Sequence, residues 1–569
     1  MKNLFISLAT ILIMVSCDFL NKEPHSLVLE DYFNNEAELQ AFLTGVYSPL
    51  MHEQFYGSSY ALYNGGADDL TFFGRNAPPS GGSIMTGNAN SGNANISAYW
   101  RLLYEGVNRA NMLVEQAKDN PNISDSICNK AIAEAKCLRA FYYFHLVQGW
   151  GDVPFRLEST ESVIGLDAER TDKEIIYEQI LSDMKNSIEF LPESSTVSHT
   201  EFLTKSAVQG IIARVYLFRA GECYRDNKTP NETLRGEYFA AAKEWASKVK
   251  DSYLHGLVTP YSRIFIDLSE DKYNSTGVRE SIWEAAMAGN RTTPEQAAGR
   301  LGNLLGFGGP DFSSTEAFKN LGGLANPGYG YGYAIASLKL YEMYENEGDT
   351  ARGDWSIANF TYTQTATGDR PVTGKRFYFG KLRPEYVAPA GFTFVEEAKS
   401  TSDNRKTRIV AKYRREYEKA LPKNKNYTPI NFPILRYSDV LLMIAEADNE
   451  LTAKPSELAY ECIDAVRERA GLTPLNGTGL TQTQFRNAIK NERAMELCFE
   501  GVRRWDLIRW GDFYTAMRDM EGYIYKTGWD SNHSYAVDYY RVSAAYNYFP
   551  IPDTEMALNK KITVNNPGW

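Results

Sequence analysis

This sequence predicts a mainly α fold, a solenoid of helix pairs interrupted by loop-rich, partly irregular segments. Three observations predict it. Apolar residues recur at helical spacing in consecutive segments. Alanines gather where such segments would cross. Glycine, amide and aromatic residues collect in separate stretches without a period.

The chain opens on Lys2, followed by apolar and small residues from Leu4 to Val15. One positive charge before about a dozen apolar residues reads as a secretory signal, because a spanning helix needs roughly 20. The run closes on Met14-Val15-Ser16-Cys17, which resembles a bacterial lipobox. Residues 1–16 are expected to be removed, leaving Cys17 as the lipidated first residue of a single domain, 17–569. Each buried acyl methylene contributes about 0.8 kcal/mol, so several chains on one cysteine hold a soluble domain at a membrane.

Two antiparallel helices are expected between 96 and 149. The first carries Trp100, Leu103, Tyr104, Val107 and Met112; the second carries Ile132, Ala135, Leu138, Phe141, Tyr142 and His145. Asp119-Asn120-Pro121-Asn122 turns the chain between them. Another pair spans 175–191, ended by Pro192, and 205–219. A helix over 238–249 follows, with Ala240, Ala241, Ala242 and Ala246 as small contact residues. The last clear pair is 437–451 and 456–470, stopped by Gly471. Repeated helix hairpins with small residues at the crossings mark a tetratricopeptide-like solenoid, here without the strict period of about 34 residues. The scaffold is expected at about 96–250 and 436–515. Loop-rich insertions are expected at about 64–95, 287–435 and 519–548, with short strands near 377–379 and 407–413. Long irregular loops rich in rings and amides point to a binding region.

Charge and motifs exclude several classes. The formal charge is -11, and -12 once residues 1–16, with one lysine and no acid, are removed. An acidic surface argues against nucleic acid or anionic lipid as partner. Cys128 and Cys137 would lie about 13 Å apart on one helix, too far for a disulfide. With Cys223, Cys462 and Cys498 they read as free thiols. The six histidines show no HxxxH or HxH pair, so no metal site is expected. No GxSxG elbow, Walker loop or dinucleotide fingerprint is present, and no cofactor is expected. Glu492, Glu496 and Glu500 fall at i, i+4 spacing on one helical face. With Arg493, Arg503, Arg504 and Arg509 nearby and no Glu-x-x-His, they read as ion pairs between helices. Trp505, Asp506 and Trp510 read as packing and capping groups. Asp68-Asp69, the acidic pair in a loop-rich stretch, carries the alternative of a surface glycoside hydrolase.

A set of ordered motifs then resembles the SusD/RagB family. They are residues 148–154 (QGWGDVP), 204–207 (TKSA), 436–447 (RYSDVLLMIAEA) and 466–472 (VRERAGL). Glu492-Arg493, Glu496-Leu497, Phe499-Glu500-Gly501 and 504–511 (RWDLIRWG) follow, and the chain closes on 549–552 (FPIP), Glu555 and 566–569 (NPGW). Asn565 stands where the family often has Gln and Trp569 where it has Tyr. The resemblance covers nearly the whole chain. It implies a non-enzymic lipoprotein on the outer surface of a Bacteroidetes-type bacterium. Tetratricopeptide-like helix pairs would carry a variable ligand region, above a SusC-like TonB-dependent transporter. An oligosaccharide is the implied ligand, with a peptide as the alternative.

The resemblance also places ligand contacts in the loop before the helix carrying Tyr99-Trp100 and in the loop before Leu338. The candidates are Phe72, Phe73, Arg75 and Asn76 from the first, Phe312, Tyr329, Tyr331 and Tyr333 from the second, and Trp529 from the late loop. Flat rings cover the apolar side of a sugar; about 50 Å² of such surface contributes roughly 1 kcal/mol, so several rings are needed. Tyr329, Tyr331 and Tyr333 alternate with Gly330 and Gly332. In an extended segment those rings would share one face, in a row about 13 Å long.

Overall fold

A computed structural model describes residues 33–75, 84–160, 167–273, 277–288, 299–306, 308–314, 318–358, 360–367, 370–377, 395–397 and 408–569. Cys17 and Asn76 lie outside the described residues.

Helices build most of it. Among them are α1 (Glu36–Tyr47), α2 (Ala94–Ala117), α3 (Asp125–Trp150), α4 (Lys173–Ser187), α5 (Lys205–Ala220), α6 (Glu232–Lys250), α7 (Leu338–Glu347), α8 (Tyr437–Leu451), α9 (Glu457–Arg469), α10 (Gln482–Leu497) and α11 (Arg503–Arg509). Their starts follow from local chemistry. The side chain of Asn93 accepts from two amides at the start of α2, and Thr204 accepts from Ala207 N at the start of α5. Thr481 and Gln484 form a reciprocal capping box on α10. The helix expected from 238 begins earlier, at Glu232, because Asn231 caps it.

The pairs α2–α3, α5–α6 and α8–α9 pack as hairpins, and α3–α4, α6–α8 and α8–α10 continue the stack. The helical-repeat scaffold is as expected, but one pairing differs: α5 pairs chiefly with α6 and α4 with α3, rather than α4 with α5. Gly106 shows how closely α2 and α3 approach: a Cβ there would lie 2.4 Å from the Tyr142 ring. Along α3 the interior is continuous. His145 is 3 % exposed, and its two ring nitrogens lie 3.0 Å from the Tyr56 hydroxyl and 2.7 Å from the Tyr99 hydroxyl. Burial holds its pKa well below the usual value. Cys128, Cys137, Cys462 and Cys498 are buried free thiols, and Cys223 is half-buried.

Glu492 and Glu496 of α10 lie in a buried ion network; Glu500, expected on the same helical face, joins it from the turn beyond the helix end at Leu497. Arg352 contacts Glu492 at 2.6 Å and Glu496 at 3.2 Å. Arg436 contacts Glu280 at 2.7 Å, Glu496 at 3.0 Å and Glu500 at 2.7 Å. Arg469 reaches Glu496 at 2.5 Å, and Lys412 reaches Glu500 at 2.6 Å. Burial disfavours the charge on Glu496, but Arg469, Arg436, Arg352 and Lys412 outweigh it and hold its pKa far below the usual range. Asp506 joins a neighbouring cluster as acceptor for Arg493 at 2.7 Å and Arg509 at 2.8 Å. Its role is ion pairing rather than capping.

Strands are few and short. β1 (Thr71–Phe73), β2 (Ser281–Ala285), β3 (Ala334–Ala336), β4 (Ile357–Ala358), β5 (Ile409–Val410) and β6 (Phe432–Arg436) form two sheets. One is ordered β1-β3-β5-β4, the other is β2-β6, and all pairs are antiparallel. A separate sheet pairs Phe360–Thr367 with Arg370–Phe377. Only the β1–β3 pair bears on the site.

Candidate functional site

Two loops far apart in sequence meet because β1 and β3 pair, with Thr71 opposite Ala336, Phe72 opposite Ile335 and Phe73 opposite Ala334. The contact continues past the strands, where Gly74 N donates to Tyr333 O at 2.6 Å. Arg75 is thereby set against Tyr333. Its guanidinium carbon sits 3.8 Å from the ring centroid, and its Nη2 donates to the tyrosine hydroxyl.

Tyr333 is one end of a column. Its ring stacks on Tyr331 at 4.8 Å and 15°, and Tyr331 meets Tyr329 edge to face at 5.1 Å and 71°. All three rings are half-buried. They share one side of the segment, as the alternation predicts, but they turn toward one another rather than lying flat in a plane. Two causes are visible. Gly332 has φ +63°, so the backbone is not an extended strand. Half-exposed rings also find their nearest apolar cover in each other's faces.

The other end of the column is held by a segment that sequence reasoning did not select. Lys425 Nζ lies 5.2 Å from the Tyr329 ring and pairs with Asp311 at 2.8 Å. Tyr331 donates its hydroxyl to Asn426 Oδ1 at 3.4 Å. Arg415 fixes both strips of chain. It donates to Tyr329 O at 2.7 Å, Lys425 O at 3.0 Å and Asn424 O at 2.7 Å, while pairing with Glu418 at 2.7 Å. Gly328, at φ +84°, makes room for it, since a Cβ there would lie 2.7 Å from Arg415 Cβ. Asn303 adds a second clamp through Tyr329 O and Lys425 O. Lys423 donates to Asn326 O and Arg415 O, and burial pulls its pKa down to about 8. The one sequence signal here was the run Lys423-Asn424-Lys425-Asn426-Tyr427, an amide–cation cluster inside an irregular block.

The structure brings Arg75, Tyr329, Tyr331 and Tyr333 together at one half-open surface. The other candidates lie behind it or apart. Phe73, 2 % exposed, packs at 5.4 Å against Tyr333. Phe72 is fully buried against Trp529 at 5.0 Å, and Trp529 is 5 % exposed with its Nε1 donating to His533 O. Phe312 is buried and meets Phe318 at 5.2 Å. The tyrosine-rich late loop acts as a brace: Tyr539 donates to Arg75 O at 2.9 Å and Tyr540 to Thr71 O at 3.1 Å.

The acidic pair that carried the hydrolase alternative is committed internally. Asp69 is enclosed and pairs with Arg503 at 2.9 Å and Lys339 at 2.6 Å. Burial opposes its charge, yet these two cations hold its pKa below the carboxylate range. Asp68 is raised to about 7, by burial first and then by Asp69. Among the described residues no group of His, Cys, Asp or Glu is arranged to hold a metal, and no helix is long and apolar enough to cross a membrane.

These features define a class: a helical-repeat scaffold that presents a loop-built aromatic surface flanked by cations. Comparison with known proteins gives the family. A profile described as the SusD family matches residues 279–569, and one described as "Starch-binding associating with outer membrane" matches 18–217. The chain belongs to the SusD family. It is 27 % identical to SusD-like protein P2 of Formosa agariphila over 98 % of each chain. In fold it is similar to a SusD homologue from Bacteroides thetaiotaomicron, with a TM-score of 0.79 at 24 % identity over 95 % of this chain and 98 % of that one. It is also similar to a laminarin-binding SusD-like protein, with a TM-score of 0.67 at 21 % identity over 94 % and 100 %.

Proposed function

We propose that this chain is a surface lipoprotein of the outer membrane that captures an oligosaccharide and passes it to a SusC-like TonB-dependent transporter, without cleaving it. The observation that carries the reading is the tyrosine column, where rings from one loop meet a cation from another at a half-open surface. Ring surface covers the apolar side of a sugar, while Asp311, Asn426, Lys425 and Arg75 supply acceptors and donors for its hydroxyls. Membership of the SusD family and the likeness to a laminarin-binding protein support glycan as the ligand. The description "associating with outer membrane" supports the location. The lipobox at Cys17 supplies the anchor.

Two measurements test this. Titration of the full chain against a panel of oligosaccharides should give saturable binding with no product released. Release of reducing ends, lost in an Asp68→Asn, Asp69→Asn double variant, would make the protein a hydrolase instead. A Cys17→Ala chain should leave the membrane fraction; retention there would remove the lipid anchor from the account.

A further inference from the structure

We propose that the ligand carries negative charge, as carboxylate or sulfate groups on its sugar units. This rests on the oligosaccharide reading above and narrows it to a chemical class. The column is capped by cations on both outer faces: Arg75 on Tyr333 and Lys425 on Tyr329. Arg75 is exposed and has no carboxylate partner among the described residues; its side-chain contacts are the ring and hydroxyl of Tyr333. The next eight residues, Asn-Ala-Pro-Pro-Ser-Gly-Gly-Ser, contain no acid. The chain as a whole is strongly acidic at formal charge -11, so an unanswered guanidinium at the ligand surface runs against the general balance.

The side chain is also pre-positioned. Stacking on Tyr333, with the tyrosine hydroxyl taking one N–H, restricts the guanidinium before any ligand arrives, which lowers the entropy lost on binding. Its remaining N–H groups form a planar fork that matches the paired oxygens of a carboxylate or sulfate. A guanidinium only donates, so it answers half of what a neutral hydroxyl offers but all of what an anionic oxygen needs. At the far end Lys425 is 48 % exposed, and its pair with Asp311 is of the exposed kind that contributes little and opens easily. A second anionic group could take Asp311's place there. A chain bearing charges at intervals would then lie across the tyrosine edges between two cations.

The test uses the full chain and matched ligands. One arm compares oligogalacturonates with their carboxyl-reduced counterparts. A second compares sulfated galactan oligosaccharides with desulfated ones. Laminarin and xyloglucan oligosaccharides serve as neutral references. The expected result is that one charged form binds at least tenfold more tightly than its neutral twin, and that added NaCl shrinks the gap. The arm that shows the gap identifies the charged group. Arg75→Gln should close most of the gap, and Arg75→Lys, which keeps charge without the fork, should close part of it. Equal binding of charged and neutral twins, or a gap untouched by Arg75→Gln in a folded protein, overturns the charge proposal and leaves the glycan reading standing. Binding to none of the glycans overturns the glycan reading itself.

Discussion

Beneath α10, Arg352 and Arg436 are enclosed and each touches at least two carboxylates, whereas Arg75 at the loop surface is exposed and touches a tyrosine. The scaffold answers every one of these buried guanidinium groups because an unanswered charge there costs several kcal/mol. At the surface water carries that cost, so a charge can be left open for a ligand. The contrast teaches where to look for function in this fold. Elaborate charge networks mark the frame, and at the exposed loop surface the incompletely answered charge marks the site.

The largest expected effect lies in the frame. Glu496→Gln leaves Arg352, Arg436 and Arg469 short of negative charge and should destabilise the protein by about 3–5 kcal/mol, read by urea unfolding. A loss below about 1 kcal/mol would mean that the network is redundant. Next comes Arg415→Met, which strands Glu418 and the carbonyls of Tyr329, Asn424 and Lys425. It should cost roughly 2–4 kcal/mol and weaken glycan binding as well, since it loosens the column's support. Lost stability with untouched affinity would show that the column does not depend on this clamp.

A pH effect of intermediate size follows from Asp68. Its folded pKa is raised to about 7 from an ordinary 3.8. Between those values the folded state holds a proton that the unfolded chain has released, so stability falls as pH rises from about 4 to 7 and levels off above. Glu284, raised to about 7 by burial, adds in the same direction. Asp68→Asn keeps the Oδ1 that accepts from Leu70 N. It should stabilise the protein at both pH 5 and pH 8, and by roughly 2–3 kcal/mol more at pH 8 than at pH 5. A destabilised variant at pH 8 would show that Asp68 is charged in the fold. The smallest effect belongs to the exposed pair: Asp311→Asn should change stability by less than about 1 kcal/mol. A larger loss would place Lys425 and Asp311 in the frame rather than at the surface.

Much of this contrast can be read from the chain. Helical spacing and the stops at Pro192 and Gly471 locate the scaffold, because those signals are local. The spacing of Glu492, Glu496 and Glu500 beside arginines foretells buried pairing for the same reason. The glycine-separated tyrosines announce a shared face. What stays hidden is non-local. Nothing near Phe72 says that Trp529 and His533 will cover it, or that Tyr333 will cover Phe73, so buried and open rings look alike in sequence. Arg415, Lys425 and Asn426 join the site only through contacts spanning 86 residues or more, which no periodicity reveals.

One titration tests whether the tyrosine column is the ligand surface. A Tyr329→Ala, Tyr331→Ala, Tyr333→Ala chain should remain folded while its affinity for the best oligosaccharide of the panel falls at least tenfold, about 1.4 kcal/mol. Unchanged affinity in the folded variant would move the site away from these rings.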